Sequence, residues 1–182
     1  MRKTLETERL ILRPFRMEDA FEMYSGWASD PAVTEYMTWC PHTCIEDTRK
    51  ILSQWISEYE KPERLNFAIE RKEDGRLIGS IDVVGYLNGP KGTPVIGYVL
   101  GKQYWNKGFM TEACKCLLQY LFSLGFAEVR IDAMTENIRS NRVIQKCGGV
   151  FLGTEQDERP AKNDVVSVNR YIVRSESFEG GI

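Results

Sequence analysis

The segment PVIGYVLGKQYWNKGFMTEA, Pro94 to Ala113, decides how this chain folds. Its first part, Pro94 to Leu100, is rich in Val, Ile and Tyr and reads as a buried strand, whereas apolar residues recur at helical spacing after Gly108. A strand therefore hands over to a helix near Gly108. The first turn of a helix has N–H groups without intrahelical acceptors, and its aligned peptide dipoles make that end electropositive, so the junction is a natural seat for phosphate. Gly108 has no side chain to obstruct a close backbone approach and adopts positive φ freely, and Lys107 can direct a point charge toward an anion. The same two residues also fit a plain surface turn with a solvated lysine.

Outward from this junction, GPKGTP (Gly89 to Pro94) breaks the chain before the strand. The helix after Gly108 reaches Leu124, with Phe109, Ala113, Cys116, Leu117, Tyr120, Leu121 and Leu124 at three-and-four spacing, and Gly125 stops it. EVRIDAMT is another strand and NIRSNRVIQKCGG a shorter helix ended by glycines. Two strand-to-helix units thus follow one another, Val95 to Leu124 and Val129 to Cys147. In a parallel arrangement their helix N-termini open at one sheet edge, where α/β proteins bind ligands. ENIRSN brings Asn137, Ser140 and Asn141 to that edge, although such residues also serve as ordinary helix caps.

In the N-terminal half, RLILRPF alternates as a half-buried strand, and MEDAFEMYSGWAS carries Ala20, Phe21, Tyr24 and Trp27 on one helical stripe. A short helix is expected over Ala32 to Met37. Thr43 to Glu46, TCIE, has capping-box spacing and opens a helix to about Glu60 whose apolar face is Ile45, Leu52, Trp55, Ile56 and Tyr59. LNFAIER and RLIGSIDVVGY form two strands joined by a tight turn at Asp74 and Gly75, and VFLGTE and VVSVNRYIV close the fold. The order β, α, α, α, β, β, β, α, β, α, β, β implies a mixed α/β sheet with helices on both faces. A single domain over residues 1–175 is expected, followed by a loose tail at 176–182.

Composition narrows the function classes. The 182 residues carry a net charge of −2, so no basic excess marks an extended nucleic-acid groove. The start, MRKTLETERL, lacks the apolar core of a secretory signal, and no apolar run is long enough to span a bilayer, so a cytoplasmic protein is expected. Cysteines 40, 44, 114, 116 and 147 form no CxxC pair and read as reduced thiols. CPHTC gathers Cys40, His42 and Cys44, but the fourth ligand of a structural zinc site is missing, so no metal is expected. His42 is the only histidine and has no evident partner in the sequence.

Four stretches together resemble the GNAT superfamily of N-acetyltransferases, and within it the ribosomal-protein N-terminal (RimJ/RimL-type) branch. TERLILRPFRMEDA resembles its opening strand and helix, IGYVLGKQYWNKGFMTEA its acyl-CoA loop, TENIRSNRVIQKCGG the next strand end and helix, and Asp164 with VVSVNRYIV its closing strand. The resemblance spans nearly the whole chain. It implies the acyl-CoA N-acyltransferase fold, a mostly antiparallel sheet with one splayed parallel pair, with acetyl-CoA as co-substrate and a monomer or homodimer. The pattern Q/R-x-x-G-x-G/A falls on Trp105, Asn106, Lys107, Gly108, Phe109 and Met110, implying that amides from about Asn106 to Thr111 hold the pyrophosphate. Only Gly108 is fully on pattern: Trp105 replaces Gln/Arg, and Met110 replaces a small residue, lying either against the phosphates or in the helix core. Backbone groups of Val99 and Leu100 would pair with the pantetheine arm, and Asn137 and Asn141 would belong to the cofactor side.

The implied reaction is direct attack of an amine on a thioester, which needs a base, an oxyanion donor and help for the departing thiolate. Where many relatives place a tyrosine acid this chain has Ile144, and in the ribosomal-protein branch the role falls on the position of Ser140, either protonating the sulfur or only hydrogen-bonding it. Where many relatives place a glutamate base the chain has Val95. Asp82 in GSIDVVG is then a candidate base or a solvent-facing strand residue, with Glu70 and Tyr98 as options through water. An α-amine titrates near about 7.7–8.0 and a lysine amine near about 10.4, which favours a protein or peptide N-terminus as acceptor when no strong base is evident. A small amine (aminoglycoside, amino acid or polyamine) and a non-catalytic acyl-CoA sensor are the alternatives. Glu18, Asp19, Glu22, Glu35 and Glu46 lie in the segments expected to shape the acceptor side.

Overall fold

The computed structural model describes residues 3–61, 64–89 and 91–178. Eight strands form one sheet: β1 (Leu5–Glu6), β2 (Leu10–Arg13), β3 (Asn66–Arg71), β4 (Leu77–Leu87), β5 (Thr93–Leu100), β6 (Glu128–Met134), β7 (Val150–Arg159) and β8 (Asp164–Arg174). Their order is β1-β2-β3-β4-β5-β6-β8-β7. All neighbours are antiparallel except β5 and β6, whose parallel pairing covers only Val95↔Arg130 and Ile96↔Ile131. Beyond Ile96 the two strands part, and the rest of β5 keeps only β4 as a partner. The splay expected from the family resemblance is therefore present.

Five helices cover the two faces: α1 (Ala20–Met23), α2 (Pro31–Thr34), α3 (Ile45–Ser57), α4 (Phe109–Ser123) and α5 (Ile138–Lys146). Alternation along β5 divides the core. Ile96 and Leu100 join the apolar cluster of α4 and α5, while Val99 joins that of α1 and α3 around Trp27 and Leu52. Gly125, at φ 94, ends α4 as expected.

Several local expectations shift. The buried stripe before α2 is Ala20, Met23 and Trp27, at ordinary helical spacing, and Phe21, one residue off that stripe, is 68% exposed; α1 continues as a π turn over Tyr24–Ala28. Leu124 also faces solvent at 51% exposure, one residue past the end of α4. The capping box sits one residue later than its spacing suggests: Cys44 is the cap and Asp47 the reciprocal carboxylate, which accepts from Cys44 N and from both the amide and hydroxyl of Thr43. The helix expected over Ala32–Met37 is the four-residue α2, with Asp30 capping Ala32 N. Phe178, inside the expected tail, packs edge-on against Phe122, with ring centroids 5.2 Å apart. Among the described residues no helix is long and apolar enough to cross a membrane.

Candidate active site

The opening junction becomes a structured loop between β5 and α4. Asn106 and Gly108 both occupy the left-handed region, at φ 61 and φ 81. Asparagine and glycine are the residues that reach this region at least cost. Gly108 caps α4 without any side-chain hydrogen bond, and the first helix amide with an acceptor is Glu112 N, bonded to Gly108 O at 3.1 Å. The amides of Phe109, Met110 and Thr111 precede that bond and have no intrahelical acceptor.

The loop is tied down from behind by residues the linear pattern does not reveal. Arg9 donates from Nη1 to Lys107 O (3.1 Å) and from Nε to Glu112 Oε2 (2.7 Å), and its guanidinium lies 4.5 Å over the Phe109 ring. Glu112 also accepts from Arg9 N (2.9 Å) and Thr7 Oγ1 (2.5 Å). Burial acts to raise the Glu112 pKa, but these donors and the Arg9 charge outweigh it, and the carboxyl titrates below its usual range. With the Lys107 carbonyl pulled toward Arg9, the planarity of the peptide turns the Gly108 N–H the opposite way. Arg9 and Glu112 are 103 residues apart, so their pairing becomes visible only in the fold.

Lys107 does not aim its charge at the cavity: its Nζ lies 5.9 Å from the Tyr104 ring centroid. Met110 is 6% exposed, belongs to the apolar core and also contributes to the cavity wall. Trp105 donates its indole N–H to Leu100 O (2.7 Å) and stacks under the Arg139 guanidinium (4.7 Å), so it braces the loop from its own side. Val99 and Leu100 lie beyond the last β5–β6 pair, at the open edge of the splay.

Asn137 caps α5 by accepting from Ser140 N (3.1 Å). Asn141, expected on the cofactor side, is instead used by the fold. Its Nδ2 donates to Met134 O and Asn137 O, and its Oδ1 accepts from Asn169 Nδ2 and Tyr171 Oη, which leaves no valence for a ligand. Ser140 is 8% exposed, and its hydroxyl lies 2.8 Å from the Tyr98 phenol.

A cavity of about 970 Å³ is lined by residues from both faces of the sheet, among them Asp82, Val99, Tyr98, Gly108, Thr111 and Ser140. Asp82 stands opposite Gly97 in the β4–β5 pair, and a Cβ on Gly97 would lie 3.6 Å from Asp82 Oδ1 and clash with Val84 at 2.6 Å. Asp82 is half-buried and stands in the cavity wall beside Gly97. Burial pushes its pKa up to about 7, against the pull of the Arg64 charge and the adjacent Asn66 amide.

The other candidate bases drop out on geometry. Glu70 is held by Arg13 Nε at 2.6 Å, in a cluster that also binds Asp19, and is not part of the cavity wall. Burial raises the Tyr98 phenol well above its usual value, so it stays protonated and cannot take a proton. The acids expected around the acceptor are likewise elsewhere: Asp19 is bound by Arg13, and Glu46 pairs with Arg49. The carboxylates in the wall come from strands instead, Asp82, Asp132, Asp157 and Glu158, accompanied by aromatic rings of Tyr36, Trp39 and Trp55. Arg170 bonds to Asp132 and Asp157, leaving Asp82 as the acid whose titration is shifted toward neutrality. His42 finds a partner in Thr48 Oγ1 (2.7 Å), and among the described residues no group of three or more His, Cys, Asp or Glu is arranged to hold a metal ion.

Comparison with known proteins gives the site a context. A family model for an acetyltransferase (GNAT) domain matches residues 9–150. The N-acetyltransferase p20 of Bacillus licheniformis is 32% identical over 180 residues, spanning 98% of this chain and 99% of its own. A GNAT-family acetyltransferase structure from Bacillus anthracis superposes with a TM-score of 0.82 at 26% identity, covering 96% of this chain and all (100%) of the other. RimL, a ribosomal L7/L12 α-N-protein acetyltransferase solved with coenzyme A, has the same fold, with a TM-score of 0.82 at 19% identity over 94% of this chain and 98% of its own.

Proposed function

The chain belongs to the GNAT acetyltransferases and takes acetyl-CoA as its acyl donor, and from that premise we propose that its acceptor is the α-amine of a protein or peptide N-terminus. The observation that carries this reading is the Asp82 carboxyl set in the cavity wall, where burial pushes its pKa up to about 7. A base of that strength is matched to an α-ammonium titrating near about 7.7–8.0 and is several units too weak for a lysine side chain near about 10.4. The RimL fold neighbour, an α-N-protein acetyltransferase by name, supports the same acceptor class. A cytoplasmic location goes with this reading.

Each residue then has a task. Amides of the loop from about Asn106 to Thr111, including Gly108, Phe109 and Met110, hold the pyrophosphate, and the edge of β5 at Val99 and Leu100 receives the pantetheine arm through its backbone. Asn137 holds the first turn of α5 so that Ser140 faces the thioester sulfur. Asp82 takes a proton from the entering ammonium, the free amine forms its bond to the acetyl carbon, the nitrogen sheds its second proton to water, and the C–S bond breaks with its electron pair going to sulfur. A hydrogen bond from Ser140 stabilises the departing thiolate. The aromatic wall of Tyr36, Trp39 and Trp55 also suits a compact amine, which is the second reading.

The test is an acetyl-transfer screen containing peptides that begin with Ala or Ser, free amino acids, polyamines and aminoglycosides. Label on the peptide α-amines is the expected result. Labelling confined to a small amine overturns the acceptor assignment, and thiol release with none of them supports only the sensor alternative.

A further inference from the structure

A serine hydroxyl is a feeble partner for a leaving thiolate unless its proton is aimed and its oxygen is polarised. Ile144, the α5 position at which the family resemblance implies a phenol, is fully buried. A phenol nevertheless approaches Ser140 from the other side. The β5–β6 pairing ends at Ile96↔Ile131, and two residues later Tyr98 projects from the splayed strand, its Oη 2.8 Å from Ser140 Oγ. Both residues line the cavity, and Ser140 is fixed at its backbone by the Asn137 cap.

We propose that Tyr98 is a positioning residue for the reaction: its phenol donates to Ser140 Oγ, which leaves the serine's own proton free to point at the departing sulfur. A phenol is a better donor than an aliphatic hydroxyl, and of its two acceptors on Ser140 the hydroxyl oxygen at 2.8 Å is nearer than the backbone carbonyl at 3.4 Å, which sets the direction of the bond. Were Ser140 the donor, its single proton would be spent on Tyr98 and only lone pairs would face the thiolate. Burial keeps the phenol protonated, so the donor persists across the working pH range. Polarisation along the chain Tyr98 O–H, Ser140 O–H and sulfur strengthens the last link. Neither residue gives up its proton in net terms. Of the two protons the ammonium loses, the first goes to Asp82 and then to solvent, the second goes to water as the C–N bond forms, and the thiolate is protonated from water after it leaves.

This rests on placing Ser140 at the sulfur, so the experiment separates the two claims. Steady-state kcat and KM for acetyl-CoA are measured for the parent, Ser140→Ala, Tyr98→Phe and the double variant, with thermal midpoints as the check on folding. Ser140→Ala is expected to lower kcat by about a hundredfold. Tyr98→Phe, which keeps the ring, is expected to lower kcat by about tenfold, the worth of one hydrogen bond, with KM for acetyl-CoA unchanged. The double variant should be no slower than Ser140→Ala. Parent-like kcat in Tyr98→Phe overturns the proposal, as do losses that multiply in the double variant. If Ser140→Ala itself keeps full turnover, the placement of Ser140 fails and Tyr98 falls with it.

Discussion

Replacing Gly108 tests the phosphate seat at its most constrained point. The residue sits at φ 81, and a Cβ built there would meet Arg9 Nη2 at 3.3 Å, on the side of the loop where Arg9 holds the Lys107 carbonyl. The structure thus changes the reason for the glycine: it is required by the left-handed backbone more than by open space in front of the ligand. An alanine held at that φ costs about 1–2 kcal/mol. If the loop relaxes instead, the 107–108 peptide rotates, the Arg9 bond breaks and the Gly108 N–H turns away from the cavity. Losing one hydrogen bond to a charged phosphate is worth about 1.5–3 kcal/mol, or about 10- to 100-fold in affinity. Gly108→Ala should therefore weaken coenzyme A binding by about that factor, and Gly108→Val by more, since a β-branched residue tolerates positive φ least. Gly125 supplies the control, with φ 94 and no atom within 4 Å of its added Cβ. Gly125→Ala bears a similar backbone cost and should leave affinity alone. Calorimetric titration with coenzyme A reads the effect, with the thermal midpoint measured alongside. A folded Gly108→Ala protein that binds coenzyme A as tightly as the parent would refute the reasoning.

Two further substitutions probe the supports of the site. Arg9→Ala should raise the Kd for coenzyme A by about three- to tenfold through the lost hydrogen bond to Lys107 O. Arg9→Lys should recover only part of it, since an ammonium lacks the fork that spans Glu112 and the loop carbonyl. An unchanged Kd in both would confine Arg9 to stability. Asp82 predicts a pH dependence: kcat/KM should rise through pH 7 as the carboxyl ionises, and Asp82→Asn should lose that limb. The stability sign is opposite. The folded-state pKa lies above the unfolded one, so protonation favours the folded chain, and stability falls as pH rises from about 4 to about 7. Asp82→Asn should flatten that fall in the thermal midpoint, and a parent-like pH profile in both readouts would remove Asp82 from the mechanism.

The alternation of strand and helix was legible because period-2 and period-3.6 apolar patterns are written locally, and the handover at Gly108 was readable from one glycine after a β-branched run. Local pattern was weaker where the backbone departs from regular geometry. A π turn follows α1 at Tyr24–Ala28, Phe21 points outward beside a stripe of Ala20, Met23 and Trp27, and Asp47 displaces Glu46 from the capping box by reaching Thr43 and Cys44 together. Side-chain partnerships across the fold were illegible. Arg9 with Glu112, Tyr98 with Ser140, and Asn141 with Asn169 and Tyr171 are joined by topology, and no spacing rule connects them. The same reason explains the acidic residues: Glu18 to Glu46 looked available in one dimension, whereas the carboxylates that line the cavity arrive from β4, β6 and β7.

In the proposed reaction the splay and the loop after it hold acetyl-CoA with its thioester between Ser140 and Asp82. A crystal structure with coenzyme A bound tests it most directly. The pyrophosphate should accept from amides between Asn106 and Thr111, and the sulfur should lie within hydrogen-bonding reach of Ser140 Oγ. Coenzyme A seated away from these amides, or bound there with its sulfur remote from Ser140, would contradict it.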